Sequence, residues 1–351
     1  MPLTFVLSTG RAGSTLLSRM LHLHPRVLSV SEFFAVLQGI LRRHPYPDSQ
    51  LDGQGLWRIL SAPDPLADAM IRGGMRVPEM FYPYGTGRFT PETGIPIICH
   101  STLSLLTEDP DALYDQLAAR VPGWPVRSAA DQYRALFALL AGLLGRSVVV
   151  ERSGGSLILV RLLRREFPEA RFVFMHRDGP DSALSMSQFP MFKLGIVAVR
   201  AAEQAGLPAG ATMAQIQANL PAQFQGVLSP PYDLRCLADE RISPVRFGTL
   251  WSDMIRGGTA VLAEMPAQLQ TELGYEALLR DPAAELTRLA GFLGVPAGQD
   301  WIDAASKLAD PGRTGSASKL DPRLLAELRA ACEPGMRALA AFVAAARSPA
   351  R

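Results

Sequence analysis

The stretch Phe5 to Pro25 reads FVLSTGRAGSTLLSRMLHLHP: a short apolar run, a glycine pair and a helical pattern in quick succession. The run from Leu3 to Ser8 suits a strand buried on both faces. Gly10 and Gly13 supply the backbone freedom of a tight turn, and the helical pattern opens at Ser14-Thr15. A strand that passes through such a loop into a helix aims several backbone N–H groups, and the positive end of the helix dipole, at one point. That is a ready anion site, although a plain strand-to-helix turn needs the same glycines. The loop departs from the nucleoside triphosphate pattern G-x-x-x-x-G-K-[ST]. Its first glycine falls on Ser8, its lysine on Ser14 and its hydroxyl residue on Thr15. Lacking the lysine that spans the outer phosphates, Gly10-Arg11-Ala12-Gly13-Ser14-Thr15 suits one phosphate rather than three, with Arg11 as a fixed positive charge beside it.

Working outward, apolar runs alternate with helical periodicity. Strands are expected at Leu3–Ser8, Arg26–Val30, Ser147–Glu151 and Arg171–His176, and helices at Ser14–His24, Ala129–Leu144, Ser156–Phe167 and Asp181–Gln188. This alternation predicts an α/β fold with a parallel sheet flanked by helices. From Phe34 to Trp124 prolines and glycines dominate. A second irregular stretch runs from Phe189 to Ser243, around a helix near Ala211–Phe224. Both read as insertions, at about 35–145 and 189–243, over the carboxyl ends of the strands, forming an acceptor site or lid on one domain that spans 1–351. The chain from Val245 onward reads as mainly helical, with a strand at Gln268–Leu273.

The 351 residues are 48% hydrophobic, enough for a full core, and carry a net charge of only +2. That balance gives no electrostatic footprint for nucleic acid or a membrane surface, so anion binding has to be local. Cys99, Cys236 and Cys332 are odd in number and widely spaced, which argues against a disulfide framework and structural zinc and for a reducing, cytoplasmic setting. No transmembrane segment is expected, and the sequence leaves the oligomeric state open.

The second constellation is RFVFMHRDGPDSALSMSQ. Arg177 stands just past a strand, and Ser185 follows eight residues later in the next helix. An arginine fork and a hydroxyl suit a phosphate, although Arg177 taken alone reads first as a helix-start salt bridge to Asp178 or Asp181. With the first loop, this pair resembles the family of sulfotransferases whose donor is 3′-phosphoadenosine-5′-phosphosulfate (PAPS). The resemblance implies a fold like that of P-loop nucleoside triphosphate hydrolases. It implies that Arg11, Ala12, Gly13, Ser14 and Thr15 hold the 5′-phosphosulfate, and that Arg177 and Ser185 hold the 3′-phosphate. GYEALLRDPAAELTRLAGFLGVP, Gly274 to Pro296, is similar to a family segment whose tyrosine lies near the nucleotide, which would be Tyr275. GRTGSASKL resembles a late Arg-Lys-Gly loop closing on the 3′-phosphate, with Arg313-Thr314-Gly315 in register and threonine in place of lysine.

Sulfuryl transfer requires an aligned hydroxyl, a base for its proton and cations for the developing charge, and no metal. The family's cytosolic branch uses a histidine near VVVERSGGSLILV, and that segment has none. HPRVLSVSEFF instead resembles the glutamate-using branch of tyrosylprotein and bacterial glycolipid sulfotransferases, implying Glu32 as base. The alternative for Glu32 is an exposed residue near a helix start capped by Ser31. His100, in IICHSTLS, is a second candidate base or acceptor-binding group. Arg152 stands where that branch often has lysine, in reach of the transferring oxygens. The implied acceptor is a hydroxyl on a small molecule, glycan or lipid. An ATP-dependent kinase-like enzyme and a non-catalytic nucleotide-binding protein of the same fold remain alternatives. Phe81, Tyr82, Tyr84, Phe189, Met191 and Phe192 suit either an apolar acceptor pocket or insertion core.

Overall fold

In a computed structural model of the chain, residues 1–34, 50–75, 79–208, 211–235, 237 and 240–347 are described. Cys236 and the turn-rich opening of the first insertion, 35–49, lie outside them. The chain divides into two compact units. One comprises Met1–Ser31, Phe137–Ser187 and Ser243–Arg351, and the other Glu32–Leu136 and Gln188–Ile242.

The first unit is built on a five-stranded, wholly parallel sheet. Numbering all strands along the chain gives β1 (Leu3–Leu7), β2 (Val27–Ser31), β3 (Gln50–Leu51), β4 (Arg127–Ser128), β5 (Val148–Arg152), β6 (Arg171–His176) and β7 (Gln270–Gly274). The sheet order is β2-β5-β1-β6-β7. The central β1 pairs with β5 on one side, Val6 opposite Arg152, and with β6 on the other, Val6 opposite Val173. Connections leave β1 and its neighbours in opposite directions, which opens a crevice at the carboxyl edge of an α/β sheet.

Alternation along the strands divides the core. Val6, Val150, Val173, Met175 and Leu273 face a layer containing Leu17, Met20 and Leu21 of helix α1 (Ser14–His22), with Leu278, Leu286 and Leu289 beyond β7. The other face carries aromatic residues. Phe5 meets Phe167 at 5.1 Å and Phe172 at 5.6 Å between ring centroids, and Phe174 meets Phe342 at 5.6 Å. Against that side pack helices α2 (Gly179–Ser187), α3 (Pro244–Ala263) and α4 (Pro322–Arg347). Each fully buried Leu, Val or Phe stabilises the fold by about 1.5–3 kcal/mol over its exposed state.

The expected elements appear with shifted ends. The strand read at Gln268–Leu273 lies at Gln270–Gly274, because Ala267–Leu269 forms a 3-10 turn. The helix read at Ser156–Phe167 starts as a 3-10 turn, Ser156–Leu159, and becomes α-helical over Val160–Glu166. The single helix read near Ala211–Phe224 is a correction: it is Met213–Ala218 and a separate turn at Ala222–Phe224. Pro221 accounts for the break, since it disfavours helical backbone at the residue before it.

The second unit is mostly helical. Its described core gathers Leu66 and Met70 with Leu194, Val197, Ala201, Met213 and Ile216, bringing both insertions into one cluster. β3 pairs antiparallel with β4. Among the described residues no single helix is long and apolar enough to cross a membrane.

Candidate functional site

Each strand of the parallel sheet ends at a residue singled out in the sequence. β1 runs into the glycine loop, β2 is followed by Glu32, β5 finishes on Arg152, β6 is followed by Arg177 and β7 by Tyr275. Buried apolar strands fix the carboxyl edge, and the edge fixes these positions.

The first loop is built by left-handed backbone. Gly10, Arg11 and Gly13 have φ of 79°, 55° and 85°. Left-handed residues in a strand-to-helix turn can aim neighbouring N–H groups toward one concavity, the geometry from which anion nests are built. Ser8, at the Walker glycine position, accepts the Gly10 N–H on its hydroxyl at 3.2 Å, and its carbonyl accepts Leu157 N–H at 3.0 Å. Gly13 caps α1 without a side-chain bond to the first turn, and that turn contains no acidic residue. First-turn amides have no intrahelical acceptor, so this end of α1 presents donors.

Gly13 is required for a second reason. A Cβ there would lie 2.2 Å from Cδ2 of Tyr275, whose ring is buried against the loop. The other partner of that ring is Arg177, whose guanidinium carbon stands 4.8 Å from its centroid. Burial raises the Tyr275 hydroxyl above its ordinary pKa, with Arg177 and Arg313 opposing.

Arg177 joins several pieces. Its Nη1 donates to the Arg11 carbonyl at 3.4 Å, and its Nη2 to the Arg313 carbonyl at 3.1 Å and to Asp181 Oδ2 at 3.1 Å. Its Nε is buried, with no hydrogen-bond partner among the described residues. Arg11 Nε in turn donates to Ser185 Oγ at 3.0 Å. Arg11, Gly13, Arg177, Ser185, Tyr275 and the backbone of Arg313 thus form one group. The Arg177–Asp181 pair considered in the sequence is present alongside these contacts. Asp178 takes a different part: it accepts the Asp181 N–H at 3.0 Å, and its own N–H donates to Glu276 Oε1 at 3.0 Å. Burial, with Asp181 and Glu276 adding to it, raises the Asp178 pKa.

The late loop contributes backbone rather than side chains. Arg313 is exposed and pairs with Asp310 at 3.2 Å, and the Thr314 hydroxyl donates to Pro311 carbonyl. Gly315 N–H donates to Asp181.

Arg152 closes β5. It is 1% exposed, and its Nη2 donates to Ser31 Oγ at 3.3 Å. Ser31 is linked to Ser18 on α1 at 2.7 Å, and Ser18 to Ser29 at 2.8 Å. These hydroxyls replace water for a cation at the strand ends, where an unsolvated charge is costly. Ser153 donates to Glu151 at 2.5 Å, and Ser156 to the Val6 carbonyl. His176 packs against Phe174 and shares a 2.9 Å contact with Glu272.

Glu32 opens the second unit directly after Ser31. It is buried, which corrects the alternative of an exposed helix-start residue, and its φ is 57°. Among the described residues Arg11 and Glu32 are the two non-glycine positions with positive φ. Left-handed backbone costs a residue with a Cβ about 1 kcal/mol or more and persists where the surroundings hold it. His100 is buried in a π-helical turn, Cys99–Leu103. Burial lowers its pKa to about 4, with Asp64 and the Ile95 backbone opposing. Of the aromatic set, Tyr82 is buried with its hydroxyl on Asp111, Tyr84 is exposed, Phe189 meets Phe192 at 6.0 Å between ring centroids, and Met191 packs against the second unit's core.

No known family profile matches the sequence, and no curated protein does. Solved structures do match. The chain is similar to sulfotransferases. A sulfotransferase domain from the olefin synthase of Synechococcus aligns over 95% of this chain and 94% of its own at 17% identity, with a TM-score of 0.46. A sulfotransferase from Alicyclobacillus acidocaldarius aligns over 99% of both chains at 15% identity, TM-score 0.41. One from Mycobacterium avium aligns over 98% of this chain and 76% of its own at 14% identity, TM-score 0.42.

Reading the sequence gave Asp181 only a helix-start pairing, yet it touches Arg177 and the late loop together. Its signal was the pair of aspartates flanking Gly179-Pro180. Ser18, in mid-helix, carried no such signal, because its partners Ser29 and Ser31 come from another element.

Proposed function

We propose that this protein transfers a sulfuryl group from PAPS to a hydroxyl of a small molecule, glycan or lipid. The observation that carries the reading is the backbone strain: Arg11 and Glu32, assigned to donor and base on sequence grounds alone, hold the two left-handed non-glycine positions among the described residues. The loop Arg11-Ala12-Gly13-Ser14-Thr15 and the start of α1 receive the 5′-phosphosulfate. Arg177, Ser185 and the Arg313-Thr314-Gly315 loop receive the 3′-phosphate, with Tyr275 beside them. The contact between Arg11 and Ser185 makes the two anion sites contiguous, which suits two phosphates on one ribose.

The acceptor oxygen attacks sulfur in line, forming the new O–S bond as the bond to the 5′-phosphate oxygen breaks. Glu32 takes the hydroxyl proton, the electron pair of the broken bond leaves on 3′,5′-adenosine bisphosphate (PAP), and Arg11 and Arg152 balance charge on the sulfuryl and bridging oxygens. The second unit carries the acceptor-binding surface. Its buried His100, held neutral at pH 7, suits a hydrogen-bonding role better than that of the principal base.

Calorimetric titration with PAP, AMP and ATP tests the reading. PAP should bind at least about 10-fold more tightly than AMP, a difference of about 1.4 kcal/mol, and transfer from PAPS should continue in a chelator. Glu32→Ala should retain PAP binding while turnover falls by about 10²-fold or more. Equal affinity for PAP and AMP, or unchanged turnover in Glu32→Ala, would overturn the corresponding assignment.

A further inference from the structure

Asp181 has no part in the transfer chemistry, yet it is the most heavily bonded carboxylate beside the candidate 3′-phosphate site. Only 3% exposed, it accepts from three donors on two separate pieces of chain. Oδ2 accepts from Arg177 Nη2 at 3.1 Å and from Gly315 N–H at 2.7 Å, and Oδ1 accepts from Ala317 N–H at 2.8 Å. Its own N–H is fixed on Asp178 at 3.0 Å. A carboxylate beside an anion site works against the ligand unless its charge is taken up by donors, and here a guanidinium and two amides take it up.

We propose that Asp181 is a positioning residue that ties the Gly315–Ala317 loop to Arg177, so that recognition of the 3′-phosphate depends on it although it never touches the ligand. The inference rests on the reading of Arg177 as the 3′-phosphate arginine. Geometry gives the reason for a carboxylate at this position. Three donors converge on two oxygens that only accept, whereas the amide of asparagine would set N–H donors against at least one of them. Arg177 has further bonds to the Arg11 and Arg313 carbonyls, so removing the Asp181 carboxylate frees the guanidinium to settle on either loop alone. The buried Nε of Arg177 then loses its fixed direction.

The decisive measurement compares PAP with AMP, which differ only in the 3′-phosphate, in the wild-type protein and in Asp181→Asn. Wild-type preference for PAP supports the parent reading, and its absence removes both that reading and this one. Given that preference, Asp181→Asn should weaken PAP by about 10-fold or more while AMP affinity stays within about 2-fold. In turnover assays the loss should appear in KM for the donor more than in kcat. Retention of the wild-type PAP-to-AMP ratio would show that Asp181 is merely structural. Should the variant fail to fold, hydrogen exchange in the wild-type protein decides: PAP should slow the Gly315 and Ala317 amides about 10-fold more than AMP does. Equal slowing by both ligands would overturn the proposal.

Discussion

At the scale of single residues, the backbone of Gly13 decides more than any side chain of the first loop. Its φ of 85° and the Tyr275 ring leave no room for a Cβ, and the same ring lies against Arg177. Gly13→Ala should therefore destabilise the protein by about 2–3 kcal/mol, combining left-handed strain with overpacking. Adding Tyr275→Ala should recover part of that loss, and urea midpoints for the two single variants and the double variant measure the coupling. Strictly additive losses would place the cost in the backbone alone. The glycines were legible because a strand-to-helix loop calls for them. Tyr275 as the occupant of the space above Gly13 was not, since the two are far apart in sequence and meet only when β7 joins the edge of the sheet.

At the scale of elements, α1 is where sequence and function bind most closely. Gly13 caps the helix with no side-chain bond and its first turn has no acid, an arrangement that forgoes stability at the helix start. Thr15→Asp should add about 0.5 kcal/mol through the helix dipole. The same charge should repel the donor and weaken PAP binding by about 10-fold or more. Melting temperature and PAP affinity moving in opposite directions would mark an anion site; affinity unchanged would mark a plain turn. Strand and helix positions were legible from periodicity. Their ends were less so, because single residues decide them: Ala267–Leu269 tightens into a 3-10 turn before β7, and Pro221 cuts an expected helix in two.

At the scale of the whole molecule, stability should carry an acid-side signature from two buried groups of the second unit. Burial lowers His100 to about 4, so between about 4 and 6.5 the unfolded chain holds a proton that the folded chain refuses. That contribution is complete above 6.5 and is lost as pH falls. Burial raises Asp68 to about 6, so the folded chain keeps a proton that the unfolded chain releases above its ordinary value of 3.8. That contribution is present in acid and is lost as pH rises through about 6. The two oppose each other. Between pH 7 and 5, His100→Gln should lose less stability than the wild type and Asp68→Asn more, which thermal melting at both pH values measures. Parallel curves for all three proteins would show that neither group titrates as its burial dictates.

The sequence by itself determined the alternation of buried strand and helix, the carboxyl-edge positions of Arg11, Glu32, Arg152, Arg177 and Tyr275, and the glycine-dependent strand-to-helix turn of the first loop. These follow from local rules: periodicity, the conformational freedom of glycine and the direction in which a strand ends. Only the tertiary structure decided that Arg11 bonds Ser185, that Arg177 spans two loops with Asp181 behind it, that Arg152 is buried against Ser31, and that Glu32 stands in strained backbone. Each of these depends on strand order, and a strand order of β2-β5-β1-β6-β7 brings distant segments side by side through packing that no local pattern encodes.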